Sequence, residues 1–382
     1  MIPGSAMLRS SARALAAIAF ALGPCSATQA SPEAAAVDWT SLRQGPKSSA
    51  SVLWVGHSLV EAKAQSDGRD IDLMRQVGEF AAARGLSYHL GDHTLWGTPL
   101  SGLWRGKPHA SRRDSSEMAP KRRAFEAEAQ RYDTVVATEA LPLAVVMRME
   151  YSAYYLRNFY CALKSANPGG RVYVYQTWVH LHGSDKGAGY PPPHLFDWRA
   201  EMVAQRRLWD ALADAVRADD VPSPPWQWLT RDDARTACDM REPVFTVPVG
   251  EAMILLHDRL AAPAPGDDFT RADGVRFALS DLFSNPYEEA ARRSGADMGP
   301  HPRDPGRDLD DIHPSADGIY FNALVHFATI YRQSPVGLPY PDRLGASLAR
   351  TLQCLAWQAV VSDPRSGVAG SADAACKEPQ KS

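Results

Sequence analysis

The chain has 382 residues, of which 45% are apolar and 22% charged, and its formal net charge is -3. This is the composition of a globular protein, and it argues against a chain disordered throughout, a collagen-like repeat or a multi-span membrane protein. A charge close to zero gives no support to a nucleic-acid binder that relies on a strongly basic surface. The length suits one large domain or two small ones.

Residues 1–30 have the pattern of a secretory signal peptide. Arg9 and Arg13 precede an apolar run from Ala14 to Leu22, and small residues follow as far as Ala30. The run is shorter than the about 20 apolar residues that a membrane span needs. We therefore expect a periplasmic or secreted protein without a membrane span after cleavage of the signal.

Export affects the interpretation of the cysteines. Four remain after cleavage of the signal, namely Cys161, Cys238, Cys354 and Cys376. An even number of cysteines in an oxidising compartment predicts disulfides, and their spacing is not that of a zinc site. Four cysteines allow three pairings, and the sequence leaves the choice among them open.

The rest of the chain alternates between strand and helix patterns. Short apolar runs predict strands at residues 52–55, 86–90, 134–137, 171–177 and 244–249. Helical spacing of apolar residues predicts helices at 71–84, 150–166 and 200–217, and a last helix that Ser315 opens. Strands separated by helices indicate βαβ units, and hence an α/β fold with a mostly parallel sheet and helices on both of its faces.

Several segments depart from this alternation. Residues 31–48 are predicted to be a linker, and residues 49–335 a single α/β domain with inserted loops at 105–123 and 261–308. Residues 336–382 are expected to form a C-terminal extension with a low-complexity tail, disordered from residue 365.

The first motif that bears chemistry is Gly56-His57-Ser58-Leu59, directly after the first predicted strand. A serine at a tight turn from strand to helix presents its hydroxyl and its backbone N–H at the carboxyl edge of the sheet, where ligands bind in such folds. Gly56 permits the tight turn. A serine that merely caps a helix is the alternative interpretation.

The second motif is residues 310–315, with the sequence DDIHPS, just before the last predicted helix. A hydroxyl is a poor nucleophile at neutral pH and needs an adjacent base. His313 could be that base, because a carboxylate such as Asp310 fixes the ring tautomer and stabilises the imidazolium. A surface histidine beside solvated acids is the alternative.

Together the two motifs resemble those of the SGNH (GDSL-type) hydrolases. That family has a G-x-S-L block after its first strand, which matches Gly56 to Leu59, and a D-x-x-H block before its last helix, which matches Asp310 to His313. The resemblance covers roughly residues 50–335 and implies a three-layer α/β/α sandwich on a mostly parallel, five-stranded, flavodoxin-like sheet. It also implies a catalytic triad of Ser58, His313 and Asp310.

The same resemblance implies an oxyanion hole. A glycine after the second strand supplies one N–H, and Gly97 stands at that place, with Gly102 as the second choice. The family's asparagine donor after the third strand is missing from the sequence, which reads Ala137-Thr138-Glu139-Ala140. Loss of one oxyanion donor typically costs about 10²–10³ in turnover, and an ionised carboxylate cannot donate. Thr138, a water molecule and a protonated Glu139 are the candidate replacements.

Other residues after the fourth strand carry weaker signals. Trp178 is expected either to form an apolar wall of the substrate site or to pack in the core. His180, His182 and His194 have no clear carboxylate partner, so they are interpreted as loop residues or substrate contacts rather than metal ligands. No Gly-rich phosphate loop follows a predicted strand. We expect neither a metal nor a cofactor.

These features predict an exported serine esterase that hydrolyses acyl esters through an acyl-enzyme. Export and the ten tryptophans favour O-acetyl groups on a carbohydrate, with another small-molecule ester as the broader class. Transfer of the acyl group to a polysaccharide hydroxyl would use the same residues. A glycan-binding protein that kept the fold and lost catalysis is the alternative that the missing asparagine suggests. No nucleic-acid partner is expected.

Overall fold

The structure, a computed structural model, describes residues 37–106, 129–181, 195–218, 221–225, 238, 242–283, 312–372 and 376. Its strands are β1 (Ser49–Gly56), β2 (Lys63–Ser66), β3 (Arg69–Asp72), β4 (Ser87–Thr94), β5 (Thr134–Ala137), β6 (Arg171–Tyr175) and β7 (Phe245–Val247). Its α-helices are α1 (Ser58–Glu61), α2 (Leu73–Ala83), α3 (Leu100–Arg105), α4 (Leu143–Met149), α5 (Ser152–Ala166), α6 (Trp198–Ala218), α7 (Val249–Ala261), α8 (Ala316–Tyr331) and α9 (Gly345–Ser362). The predicted signal peptide lies outside the described residues.

Five strands form one parallel sheet in the order β4-β1-β5-β6-β7. β4, which follows β1 in the sheet sequence, pairs on one side of β1. The chain then crosses to the other side of β1, where β5, β6 and β7 follow in order. This reversal creates a crevice outside the carboxyl end of β1, which is where ligands bind in open α/β sheets. The predicted α/β fold with a mostly parallel five-stranded sheet is therefore confirmed.

Helices cover both faces of this sheet, because alternate strand residues point to opposite sides. Val52, Trp54 and Tyr173 pack in one hydrophobic core with α2, α7, α8 and α9. Leu53 and Val55 pack in the other core with α3, α5 and α6. Full burial of one such side chain contributes about 1.5–3 kcal/mol relative to leaving it exposed. The result is the expected α/β/α sandwich.

The structure corrects several element boundaries. The helix predicted from Ile71 begins at Leu73, because Ile71 and Asp72 belong to the antiparallel β2–β3 hairpin, which was not predicted. The second predicted strand is longer and extends through Thr94, since its full length pairs with β1. Gly91 allows this extension, because a Cβ there would lie 2.3 Å from the Tyr132 hydroxyl oxygen.

The region after residue 336 is more ordered than the sequence suggests. Helix α8 is buried along its length, and α9, within the predicted C-terminal extension, belongs to the same hydrophobic core. A helix that is apolar on all sides needs such a cover. The tail predicted to be disordered from residue 365 is packed up to residue 372: Val368 is fully buried and forms a parallel bridge with Gln44.

Two disulfides select one of the three possible cysteine pairings. Cys161, on α5, pairs with Cys238, and Cys354, on α9, pairs with Cys376. They connect positions that are 77 and 22 residues apart in sequence. Each therefore closes a loop and restricts the unfolded chain. In the part of the chain that the structure describes, no helix has the length and apolarity to cross a membrane.

Candidate active site

Ser58 lies at the start of α1, two residues beyond the end of β1. The turn is tight because the chain passes close to the end of β5. A Cβ at Gly56 would lie 2.8 Å from Cγ2 of Thr138 and 3.0 Å from Cγ2 of Val60. Only glycine leaves this approach free of steric overlap. Ser58 itself is almost buried, with 8% of its surface exposed.

The structure brings Ser58 and His313 together from positions 255 residues apart. The distance from His313 Nε2 to Ser58 Oγ is 2.8 Å, which is hydrogen-bonding distance. When the proton of the neutral ring is on Nδ1, the serine hydroxyl donates to Nε2. This is the arrangement by which a histidine activates a serine nucleophile. Asp310, the predicted third member, lies outside the described residues.

The segment that carries His313 is fixed on both sides. Before it, the indole N–H of Trp178 donates to the Ile312 carbonyl at 2.7 Å. After it, Ser315 caps α8 by accepting the N–H of Gly318, and its own N–H donates to the carbonyl of Leu282. Trp178 is fully buried, so it supports the histidine segment from within the core. Of its two predicted roles, core packing is the one its position fits.

Gly97 follows β4, the strand beside β1. The N–H of Leu95 donates to the Gly56 carbonyl at 2.9 Å, so the two strand ends continue side by side. Gly97 has a φ of 62°, a left-handed conformation that favours glycine. Within the described residues, neither its N–H nor that of Ser58 donates a hydrogen bond. Gly102, the second choice, is buried within α3.

Trp96 is a site residue that sequence analysis missed. Its indole stacks on the His313 ring, with centroids 5.1 Å apart and planes inclined by 19°. Although 37% of Trp96 is exposed, it lies beside the Ser58–His313 pair. The available signal was its position, directly before Gly97 in the loop after the second sheet strand. An exposed tryptophan at that edge is better placed to touch substrate than the buried Trp178.

Thr138 and Glu139 are both occupied by other contacts. The Thr138 hydroxyl donates to the Tyr175 carbonyl at 3.1 Å. Glu139 is fully buried, and its Oε1 accepts the N–H groups of Leu100 at 3.0 Å and of Ala140 at 2.8 Å. Burial raises the pKa of Glu139 to about 7, opposed by the Ser152 hydroxyl and these two N–H groups. The carboxyl group is therefore an acceptor for two backbone N–H groups.

His57 connects the serine turn to Glu139. Its Nε2 lies 2.9 Å from the Glu139 carbonyl oxygen, and the Leu59 N–H approaches Nδ1 at 3.5 Å. Burial lowers the pKa of His57 to about 4, so the ring is neutral at physiological pH. Because a carbonyl only accepts, the hydrogen is on Nε2 and Nδ1 is free to accept.

The remaining histidine candidates are described only in part. His180 is half-buried beyond β6, and His182 and His194 lie outside the described residues. Within the described ranges, no three His, Cys, Asp or Glu side chains cluster as metal ligands.

No protein-family model matches the sequence, and no curated protein matches it. A DUF4886 family protein from Bacteroides uniformis is similar in structure, with a TM-score of 0.45 and 14% identity over 82% of this chain and 95% of its own. A protein described as a GDSL-like lipase from Parabacteroides merdae gives a TM-score of 0.35 and 10% identity, over 75% of this chain and 97% of its own. A carbohydrate acetylesterase from Sinorhizobium meliloti gives 0.26 and 18%, over 43% of this chain and 80% of its own.

The printed description of one of these structures, GDSL-like lipase, names the family that the two sequence motifs resemble. At these identities and TM-scores, the likeness says nothing about substrate or about individual residues. The reaction that the site can perform is therefore inferred from the side chains of this chain.

Proposed function

We propose that this chain is an exported serine esterase of the SGNH type, which hydrolyses acyl esters of a carbohydrate or another small molecule. The observation that carries the proposal is the 2.8 Å contact between Ser58 Oγ and His313 Nε2 at the carboxyl end of β1. A nucleophile beside a base, in the crevice of an α/β sheet, is the arrangement that acyl transfer requires.

In this mechanism Ser58 Oγ attacks the ester carbonyl carbon while its proton passes to Nε2 of His313. Asp310 holds the hydrogen on Nδ1 and stabilises the imidazolium. The N–H groups of Ser58 and Gly97 donate to the oxyanion of the tetrahedral intermediate. The C–O bond to the alcohol then breaks, and the alcohol leaves with the proton from His313. Water, activated by His313, releases the acid and restores Ser58.

Export and acetyl-ester specificity are part of the same proposal. Two disulfides between four cysteines support an oxidising compartment such as the periplasm or the cell exterior. The exposed indole of Trp96 beside His313 supports a substrate with an apolar face, such as a sugar ring. A small acyl group such as acetyl suits the almost buried Ser58.

A catalytically impaired glycan-binding protein is the second candidate. It is favoured by Glu139, because a carboxylate stands where the family's amide donor is expected. Transfer of the acyl group to a sugar hydroxyl in place of water is a variant of the esterase proposal.

Labelling with a fluorophosphonate tests the nucleophile without a choice of substrate. We expect a single adduct on Ser58 in the full-length mature protein, located by peptide mass spectrometry. The adduct is lost in Ser58→Ala and His313→Ala, and it is retained in His257→Ala, a matched control on the distant helix α7. Release of acetate from p-nitrophenyl acetate and from an acetylated sugar should follow the same pattern.

The opposite results contradict the proposal. A folded wild-type protein that takes no label and releases no acetate is not an esterase, and glycan binding would then be measured. If acetate moves to an added oligosaccharide faster than to water, the protein is an acyltransferase.

A further inference from the structure

Glu139 stands where the SGNH pattern has an amide donor, yet it makes acceptor contacts only. We propose that Glu139 is a positioning residue that joins the oxyanion loop, residues 95–99, to the serine turn. This inference rests on the proposed esterase function and deepens it. It assigns to Glu139 a role in the geometry of the oxyanion hole without direct contact with the substrate.

The first connection is made by the main chain of Glu139. Its carbonyl oxygen accepts the Nε2–H of His57 at 2.9 Å. His57 directly precedes Ser58 and is the N-cap residue of α1. Both residues are almost completely buried, so water does not compete for this hydrogen bond. The end of β5 is thereby attached to the backbone that presents the nucleophile.

The second connection is made by the carboxyl group. Oε1 accepts the N–H of Leu100, the first residue of α3, at 3.0 Å. The N-cap of this helix is Pro99, whose side chain offers no acceptor. The first N–H groups of a helix lack partners within it and need an outside acceptor. Glu139 supplies that acceptor from a different strand end, 39 residues away in sequence.

Two hydrogen bonds, one of them to Glu139, fix the oxyanion loop at its two ends. Its beginning is held by the Leu95 N–H bond to the Gly56 carbonyl, and its end by the Leu100 bond to Glu139. Gly97 lies between these two points. A loop anchored at one end only would leave the Gly97 N–H free to move away from the reacting carbonyl oxygen. A displacement of about 1 Å can cost about 10²-fold in rate.

For the position of the oxyanion loop, the acceptor atom Oε1 of Glu139 matters more than the charge of its carboxyl group. Oε1 can accept both N–H groups whether Glu139 is ionised or carries its proton on the other oxygen. The neutral form also spares the oxyanion a nearby negative charge. The groups that act on this carboxyl are Glu150, which disfavours its ionised form, and the Ser152 hydroxyl and two N–H groups, which favour it. A glutamine keeps the acceptor at the same reach, whereas alanine removes it and aspartate withdraws it by one methylene.

The test compares Glu139→Gln, Glu139→Ala and Glu139→Asp in the full mature protein. We expect Glu139→Gln to react with the fluorophosphonate at a rate close to that of the wild type. Glu139→Ala and Glu139→Asp should react about 10²-fold more slowly. With p-nitrophenyl acetate the loss should fall on kcat and leave KM unchanged. Ser101→Ala is the control, since it removes a different bond of α3, to Glu150, and should react normally.

Amide hydrogen exchange measures the connection independently of activity. Peptides that cover residues 95–106 should exchange faster in Glu139→Ala and Glu139→Asp than in the wild type or Glu139→Gln. The proposal is overturned if the alanine variant, once shown to be folded, keeps the wild-type rate or the wild-type exchange. It is also overturned if glutamine is as damaging as alanine. Failure of the wild type itself to label at Ser58 contradicts the esterase function instead.

Discussion

The indole ring of Trp96 stacks on the imidazole ring of His313, the candidate base. The parallel stack of Trp96 on His313 leaves the indole face within 5.1 Å of the imidazole centre. An indole face attracts a cation within about 6 Å of its centroid, by about 0.5–1 kcal/mol at an exposed site. In the proposed mechanism His313 becomes a cation as Ser58 attacks. Trp96 should therefore stabilise the charge that appears in the transition state.

We expect Trp96→Leu to slow fluorophosphonate labelling about 2- to 5-fold, the equivalent of that cation–π energy. Trp96→Phe keeps an aromatic ring face that attracts a cation more weakly, so its labelling rate should lie between those of the wild type and Trp96→Leu. An unchanged labelling rate in Trp96→Leu would show that the indole does not act on the imidazolium.

At the level of elements, the site depends on a segment held by its neighbours. His313 lies just before α8, and the N–H of Trp178, three residues beyond the end of β6, reaches the Ile312 carbonyl. Trp178 also packs edge-on against Tyr175 and Phe283. The donor ring is fully buried and the hydrogen bond is part-buried, so removal of the indole N–H loses a bond that is shielded from water on one side. Such a loss costs about 1–3 kcal/mol.

Trp178→Phe should therefore lower the free energy of unfolding by about 1–3 kcal/mol and slow the labelling of Ser58. Urea unfolding and the labelling rate measure the two effects. Trp357→Phe is the matched control, because it loses a similar N–H bond, to the Ser371 carbonyl at 3.0 Å, in the C-terminal region. It should lose stability while keeping its labelling rate. Equal loss of labelling in both variants would mean that Trp178 has no special connection to the site.

Over the whole molecule, three fully buried groups contribute to the way stability depends on pH. Burial lowers the pKa of His57 to about 4 and that of His326, in the core beside Trp54, to about 3. Their contribution to stability is present above the unfolded pKa of about 6.5 and is lost as the pH falls through these values. Glu139 acts in the opposite sense. Its folded pKa of about 7 lies above the ordinary value of 4.5, so its contribution is lost as the pH rises through 7.

The variant Glu139→Gln separates the contribution of Glu139 to the pH dependence of stability from the contributions of His57 and His326. Glutamine does not titrate, so the variant should gain stability relative to the wild type as the pH rises from 4.5 to above 7. The gain should reach about 3 kcal/mol, at 1.36 kcal/mol for each unit of pKa. Urea unfolding of both proteins at several pH values gives this difference. A difference independent of pH would show that Glu139 ionises in the fold as it does in the unfolded chain.

The sequence by itself determined the layered plan of the molecule. Apolar runs such as 52–55 and 134–137 mark buried strands, and helical spacing marks the segments between them. These signals are local, and the handedness of βαβ units converts them into a parallel sheet with few alternatives. The serine motif therefore lies at the carboxyl edge of the sheet, because it directly follows a parallel strand.

Only the tertiary structure decided which atoms meet. The tertiary structure joins Ser58 to His313 at 2.8 Å, stacks Trp96 on His313, and bonds Glu139 to His57 and Leu100, all residues from separate segments of the chain. Disulfide pairing and the cover of α8 by α9 likewise depend on contacts between separate segments. The physical reason is that periodicity records which face of an element is buried. The partner on that face, and the hydrogen bonds that a buried polar group then makes, depend on packing between segments that no local pattern connects.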